Sequence, residues 1–110
     1  MERSDLKVLM TTFADKEAAL AAVRILLTER LIACGTVIPG ASSLYLWEGV
    51  IEESCEVVVL LKTDMEHVDN CAERLKALHS YEIPGIFVID PERVSVPYAS
   101  WAREALRNER

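Results

Sequence analysis

The sequence lacks the motifs by which many enzymes are recognised. It contains no GxGxxG, P-loop, GxSxG or HExxH pattern, so it carries no signature of nucleotide binding, of a serine nucleophile or of a zinc protease. Glycine-rich and basic loops, which a phosphate ligand would require, are also absent. These absences predict a protein that is not an enzyme.

Basic charge and long apolar runs are scarce as well. The 12 Lys and Arg residues are outnumbered by 18 Asp and Glu residues, which gives a net charge of −6 at pH 7. Nucleic-acid binding needs clustered cations that neutralise phosphates, so this charge disfavours DNA and RNA. No apolar run is long enough to span a bilayer, and the charged N-terminus shows no signal peptide. We expect neither a nucleic-acid nor a membrane partner.

Cysteine is the third scarcity. The three cysteines, Cys34, Cys55 and Cys71, form no CxxC pair, and their odd number disfavours a disulfide framework. This usage is typical of a reducing compartment, so we predict a cytoplasmic protein. The length of 110 residues suffices for one core, and we predict a single domain over residues 1–110.

Strand-forming residues, by contrast, are abundant over positions 33–63. β-Branched, aromatic and large aliphatic side chains fill this stretch on both sides of Glu48-Gly49, where glycine permits the positive φ of a tight turn. The pattern predicts a β-hairpin whose arms exceed the usual strand of about 5–6 residues. Because proline cannot donate to a ladder, Pro39-Gly40 predicts a bulge or bend in the first arm.

The tip of this hairpin is apolar on both faces. Tyr45 and Trp47 alternate with Leu44 and Leu46, so one pair lies on each side of the strand. A single small domain has no means of covering both faces of such a tip. The tip therefore indicates a protein partner.

The whole chain alternates strands and helices in the order β-α-β-β-α-β, with a further helix at the C-terminus. A strand over residues 6–12 precedes a helix over 16–30; after the hairpin come a helix ending near 79, a strand over 83–89 and a helix over 96–106. This order is typical of the split βαβ, or ferredoxin-like, α+β fold. Both crossover helices lie on one face of such a sheet, so the other face needs the third helix, another subunit or both.

Local signals support these helices. Asp15 and Ser95 are predicted to cap the first and third helices, and a capping box over residues 63–66 is predicted to begin the second. The predicted apolar stripe of the first helix comprises Leu20, Val23, Leu27 and Leu31.

A series of short strings runs in order along nearly the whole chain. The strings are Ala33-Cys34, Ile38-Pro39-Gly40-Ala41-Ser42-Ser43-Leu44-Tyr45, Trp47-Glu48-Gly49, Ile51-Glu52-Glu53, Glu56-Val57, Lys62-Thr63, His79-Ser80-Tyr81-Glu82-Ile83-Pro84, Pro97-Tyr98 and Trp101. Together they resemble the CutA1 family of divalent-cation-tolerance proteins. The resemblance implies a ferredoxin-like subunit, a tight homotrimer in which hairpin arms extend into the neighbouring sheet, and a role in tolerance of copper and other divalent metals.

The predicted metal ligands are His79, Cys34 and Glu82. Imidazole is the commonest protein ligand for transition metals, and Tyr81 and Glu82 lie close to His79 in sequence. The alternative for His79 is a structural role at a helix C-terminus, and the alternative for Cys34, a soft ligand for Cu(I), is burial in the core. We expect a divalent metal, with copper foremost, bound weakly or transiently, and no organic cofactor.

Six residues are predicted to lie at subunit interfaces. They are Tyr45, Trp47, Glu48, Lys62, Tyr81 and Trp101. The aromatic residues suit either a ligand pocket or interface anchors, and an expected trimer favours the interface. Since a lysine on an apolar strand needs a partner, we predict that Lys62 pairs with Glu48 across a subunit boundary.

Three functions follow from these predictions, in descending order of support. The first is a trimeric divalent-cation-tolerance protein that binds metal in metal homeostasis. The second is a small-molecule-sensing signalling trimer resembling the nitrogen-regulatory proteins. The third is an enzyme that uses His79, Tyr81 and Glu82 for acid–base chemistry, for which the sequence supplies neither a nucleophile nor a cofactor motif.

Overall fold

The computed structural model describes residues 1–107, and in this part of the chain four strands alternate with three helices. The elements are β1 (Leu6–Phe13), α1 (Lys16–Thr28), β2 (Cys34–Trp47), β3 (Val50–Asp64), α2 (Val68–Leu78), β4 (Phe87–Ile89) and α3 (Val96–Leu106). None of these helices has the length and apolar character needed to cross a membrane.

The strands form one antiparallel sheet in the order β2-β3-β1-β4. Each crossover helix therefore joins two strands that flank a third, because α1 connects β1 to β2 around β3 and α2 connects β3 to β4 around β1. This is the topology of the split βαβ unit. The predicted α+β, ferredoxin-like fold with an extra C-terminal helix and a long β2–β3 hairpin is confirmed.

Both predicted irregularities of the hairpin are present. Glu48 and Gly49 have φ angles of 52° and 83°, and two consecutive positive values give the type of turn whose twist matches that of the strands. The β2–β3 register shifts between Ile38 and Ala41, where Gly40 has a φ of 88°. Turn chemistry and the bulge together set the register of the hairpin arms.

One face of the sheet is covered by α1 and α2. Its core includes Leu9, Phe13, Val59, Leu61 and Leu75, all of which are almost fully buried. The predicted stripe of α1 is wrong in part, since Leu27 is 41% exposed. The buried residues of this helix are Ala19, Ala22, Val23 and Leu26.

Close packing explains the choice of small residues on this helix. A Cβ added to Gly35 in β2 would lie 2.6 Å from Cγ1 of Val23, which is too short for real carbon atoms. Helix α1 thus approaches the sheet more closely than a stripe of leucines would permit. The alanines at positions 19 and 22 occupy the same helical face as Val23 and Leu26.

Some predicted element ends are corrected. The last strand begins at Phe87, because Pro84-Gly85 interrupts the ladder before it. Helix α1 ends at Thr28, two residues early, and Arg30 adopts a positive φ of 60°. The bounds of α3 are confirmed, although the side chain of Ser95 makes no capping hydrogen bond.

The N-terminal signals differ between the first two helices. The predicted cap of α1 is confirmed, since Asp15 accepts from the backbone N–H of Ala18 at 2.8 Å. The predicted capping box of α2 is wrong, because the hydroxyl of Thr63 is buried and donates to the carbonyl of Leu31 at 2.7 Å. The N-cap residue of α2 is His67, which makes no side-chain capping hydrogen bond, and Asp64 instead accepts from the backbone N–H of His67 at 2.9 Å in the turn before the helix.

The opposite face of the sheet is covered at one end only. There, Ala99, Ala102 and Leu106 of α3 pack against Leu6 and Ala33. The other residues of this face alternate with the core residues of β1 and β3 and are only half-buried; they include Val8, Met10, Val58 and Leu60. Helix α3 therefore covers part of this sheet face, as predicted, and the rest of the face is open in the single chain.

Candidate metal centre

The turn between β3 and α2 brings three metal-binding side chains together. Asp64 ends β3, Glu66 lies in the turn, and His67 is the N-cap residue of α2. One donor atom of each lies within 4.8 Å of the other two. Over residues 1–107 no other such group of His, Cys, Asp or Glu is found. None of the three was predicted from the sequence as a metal ligand, and we call them the acidic–histidine turn.

A buried carboxylate orients the histidine of this turn. Asp64 is only 6% exposed, and its Oδ1 accepts from the backbone N–H of His67 and lies 2.6 Å from Nδ1 of the ring. Because a carboxylate is an acceptor, Nδ1 must carry the hydrogen. In a neutral ring this leaves the lone pair on Nε2, as in histidines that bind metals while a second group holds the other nitrogen.

The acidic–histidine turn lines an open cleft of about 520 Å³. Arg30, Arg103 and Arg107 also line this cleft. Arg30 donates to the carbonyl of Ala105 at 3.0 Å, and Arg103 lies 3.7 Å from Asp5. Asp5 and Glu29 line the cleft as well, so it holds charges of both signs and its negative residues extend beyond the turn.

The donor set favours borderline divalent cations. Two carboxylates and one imidazole offer oxygen and nitrogen, which suit Zn²⁺, Ni²⁺ and Cu²⁺ better than the soft Cu⁺ ion. Glu66 is exposed and His67 is half-buried, so solvent reaches the donor atoms. These residues fit a divalent cation whose remaining ligands are water.

His79 lies elsewhere, at the C-terminal end of α2. Its Nε2 is 2.8 Å from the carbonyl of Thr12 and 3.3 Å from the hydroxyl of Thr11, and its Nδ1 accepts from the backbone N–H of Tyr81 at 3.1 Å. The ring stacks on Phe13 with a centroid distance of 4.1 Å. Burial lowers the pKa of His79, against the opposing effects of Thr12 and Glu56. Both ring nitrogens are thus engaged within the chain.

The single chain does not bring the three predicted ligands together. Cys34 begins β2 opposite Lys62, whereas His79 contacts Thr12, which pairs with Val58 further along β3. Glu82 is exposed in the loop after α2. Metal binding by His79, Cys34 and Glu82 therefore stays a prediction.

Glu56 is the acceptor at the centre of a polar network beside His79. Its Oε2 accepts from the hydroxyl of Tyr81 at 2.6 Å and from that of Thr12 at 3.1 Å. Burial acts to raise the pKa of Glu56, but hydrogen bonds from Ser43, Tyr81 and Thr12 outweigh it and lower the pKa. Burial and the neighbouring Glu56 raise the pKa of Tyr81 to about 12, so the phenol remains a donor.

Tyr81→Phe is expected to reduce the free energy of unfolding by about 1–2 kcal/mol near pH 7, because it removes a hydrogen bond to a charged group. The pKa of Glu56 is lowered from 4.5 in the folded protein. Its contribution to stability is therefore present above pH 4.5 and is lost as the pH falls through the folded value. Urea unfolding near pH 7 and near pH 3 measures both effects, with Tyr45→Phe as the control. An equal loss at both pH values would contradict this account.

The predicted interface residues are mostly exposed in the single chain. Tyr45, Trp47 and Trp101 are 45%, 59% and 51% exposed. Glu48 lies in the hairpin turn, while Lys62 lies near the other end of β3, so the two do not pair within one chain. Their pairing across subunits stays a prediction.

The fold and the acidic–histidine turn define a ferredoxin-like α+β protein with an extended hairpin and donors for a divalent cation. The family model described as CutA1 divalent ion tolerance protein matches residues 7–105. The chain belongs to this family.

Relatives agree in sequence and in structure. The divalent-cation tolerance protein CutA of Escherichia coli is 39% identical over 100 residues, which cover 91% of this chain and 89% of the relative. The crystal structure of CutA from Xylella fastidiosa has a TM-score of 0.91 at 36% identity, covering 94% of this chain and 100% of that one. The periplasmic divalent cation tolerance protein CutA from Archaeoglobus fulgidus has a TM-score of 0.88 at 30% identity, covering 93% and 99%.

Proposed function

We propose that the protein binds divalent metal ions at the acidic–histidine turn and acts in metal homeostasis as a homotrimer. The observation that carries the proposal is the convergence of donor atoms from Asp64, Glu66 and His67 within 4.8 Å. Among first-row divalent ions the affinity of such nitrogen and oxygen donors peaks at copper. Cu²⁺ is therefore the ion expected to bind best.

Binding at this turn is expected to be weak or transient. Glu66 is exposed, so its side chain loses rotamer freedom when it binds a metal. Asp64 already accepts two hydrogen bonds from His67. Its carboxylate thus serves chiefly to orient the imidazole. Few pre-positioned donors are therefore left for the metal ion, which makes binding weak.

Calorimetric titration of the thiol-reduced protein with Cu²⁺ and Zn²⁺ tests the proposal. His67→Ala and Glu66→Gln are each expected to weaken binding by about tenfold or more, because each removes one of three donors. Glu73→Gln is the control, since this carboxylate lies on α2 outside the turn and pairs with Lys76 at 3.8 Å. Asp64 is left unchanged because it also holds the turn before α2 through the backbone N–H of His67.

His79→Ala in the same titration separates this site from the ligand set predicted from sequence. We expect no change, since both nitrogens of His79 are hydrogen-bonded within the chain. A loss of binding with His79→Ala but not with His67→Ala would overturn the assignment to the turn and favour His79, Cys34 and Glu82.

Exposed apolar surface supports the proposed trimer. Leu44, Leu46 and Ile51 at the hairpin tip are 66%, 73% and 71% exposed, and the sheet face beyond α3 is open. A second and third copy of the chain would cover both surfaces, and closed symmetry would leave no copy of either exposed.

The biochemical role and the cellular location of the protein are also proposals. The family description and the names of the relatives refer to tolerance of divalent cations, and we extend them to a binding role without catalysis. We propose a cytoplasmic location, since Cys34, Cys55 and Cys71 are all free thiols and such thiols persist in reducing compartments.

A further inference from the structure

Three arginines line the same cleft as the acidic–histidine turn, and metal binding by the turn does not use them. One of them, Arg30, follows α1 at a positive φ of 60°, a backbone conformation that is uncommon for arginine. Its guanidinium donates to the carbonyl of Ala105 at 3.0 Å and so links the end of α1 to the end of α3. Because a guanidinium has five N–H donors, this bond leaves others for a ligand in the cleft.

The other two arginines of the cleft are held weakly by the chain. Arg103 lies 3.7 Å from Asp5, which is longer than a hydrogen bond. Arg107 pairs with Glu104 at 3.1 Å, but the two side chains are 61% and 66% exposed, and such surface pairs contribute little to stability. Both guanidinium groups can therefore turn to an anion in the cleft at little cost.

A bound metal ion would change the balance of charge in the cleft. The described carboxylates that line it are Asp5, Glu29, Asp64 and Glu66. Glu29 is already matched by Arg74, which donates to its two oxygens at 2.9 and 2.8 Å and lowers the pKa of Glu29. The three remaining carboxylates balance the three arginines of the cleft. With the imidazole neutral, a divalent cation therefore leaves two positive charges unmatched, which is the charge that a dianion cancels.

The cleft stays open to solvent in the proposed trimer. It lies where β3 ends at Asp64, whereas the apolar hairpin tip lies at the other end of this strand of 15 residues, about 45 Å away at a rise of about 3.3 Å per residue. Its lining comes from the ends of α1 and α3 and from the start of α2, not from the open sheet face. Neither surface that further copies of the chain would cover includes the cleft.

We propose that the cleft binds the divalent cation together with a small chelating dicarboxylate of the oxalate class. This inference rests on the proposed metal site, since the metal supplies the charge that the dianion matches. Two oxygens of the dianion would replace water on the metal, and its other two would accept from Arg30 and Arg103. Hydrogen bonds between guanidinium and carboxylate groups are among the strong ones, because both partners are charged. The chelated ion, and not the hydrated ion, is then the form of the metal that the cleft recognises.

Equilibrium dialysis with radiolabelled oxalate tests this proposal, because a free zinc–oxalate complex crosses the membrane and only oxalate held by the protein is retained. The thiol-reduced protein saturated with Zn²⁺ should bind oxalate at least about tenfold more tightly than the metal-free protein does, and at least about tenfold more tightly than it binds acetate, a monoanion that lacks the second pair of oxygens. His67→Ala should lose retention of both Zn²⁺ and oxalate.

The arginine variants separate anion binding from metal binding. Arg30→Asn, in which asparagine tolerates the positive φ, and Arg103→Gln should each weaken oxalate binding by about tenfold. Zn²⁺ retention measured without oxalate should not fall in either variant. Arg24→Gln is the matched control, since Arg24 is an exposed arginine of α1 that is not among the residues lining the cleft, and it should leave both measurements unchanged.

The outcomes distinguish this inference from the metal proposal. Retention of Zn²⁺ without oxalate, or oxalate binding that survives both arginine substitutions, would overturn the dicarboxylate and leave the metal site standing. Equal retention of oxalate with and without Zn²⁺ would show an anion site that does not depend on the metal, and would also overturn the inference. If Zn²⁺ is retained neither alone nor with oxalate, both proposals fail.

Discussion

Trp47→Ala is expected to dissociate the proposed trimer at micromolar concentration while its helices stay folded. Trp47 is 59% exposed in the single chain and directly precedes the hairpin turn, so a neighbouring subunit is the surface able to bury it. Truncating a buried interface aromatic typically costs about 2–4 kcal/mol, and each 1.4 kcal/mol is about tenfold in a dissociation constant. Closed three-fold symmetry repeats the loss at every interface.

Sedimentation velocity at dilute concentration, with far-ultraviolet circular dichroism, measures this result. Leu27→Ala is the control, because Leu27 is 41% exposed on α1, away from the hairpin. An unchanged trimer with an unchanged melting temperature would show that the tip is peripheral. The centre of the assembly would then lie on the open sheet face.

The predictable parts of the fold are those decided by neighbouring residues. The hairpin follows from Glu48-Gly49 and its bulge from Pro39-Gly40, since both dipeptides restrict the backbone locally and both are found where the sequence placed them. The buried face of α1, by contrast, could not be predicted without knowing the sheet surface on which the helix packs. Hydropathy ranks leucine above alanine, whereas the close approach of Gly35 to Val23 selects small residues.

The acidic–histidine turn was hidden by a competing local pattern. Thr63 and Glu66 have the spacing of a capping box, and this pattern predicts a helix start at the same four residues that contain the donors Asp64, Glu66 and His67. That clustered spacing was the available signal. The three donor atoms come close together only if β3 ends where the turn begins, and the ends of such elements are poorly defined by sequence.

Long-range packing explains why the environment of His79 escaped prediction. The sequence indicated an imidazole at a helix end, and the structure places it there. Its stacking on Phe13 and its hydrogen bond to Thr12 come from β1, a strand far away in the chain. No local pattern links these residues, so whether the nitrogens were free for a metal could not be read from the sequence.

Phe13→Ala is expected to cost about 3–5 kcal/mol of unfolding free energy, the usual range for removing a buried phenylalanine ring. Phe13 is 1% exposed and stacks on His79. The cavity would admit water beside the imidazole, and burial is the main cause that lowers the pKa of His79 from 6.5. The pKa of His79 should therefore rise toward 6.5 in the folded variant.

Stability against pH provides the second readout. Below pH 6.5 the unfolded chain binds a proton that the half-buried His79 resists, so stability falls as the pH drops from 6.5 toward the folded pKa. This fall should be smaller in Phe13→Ala, whereas Phe13→Leu, which keeps most of the volume, should preserve it. Urea unfolding at fixed protein concentration and NMR titration of the imidazole measure the two effects. A folded Phe13→Ala protein with an unshifted His79 pKa would show that hydrogen bonding, not burial under Phe13, controls this histidine.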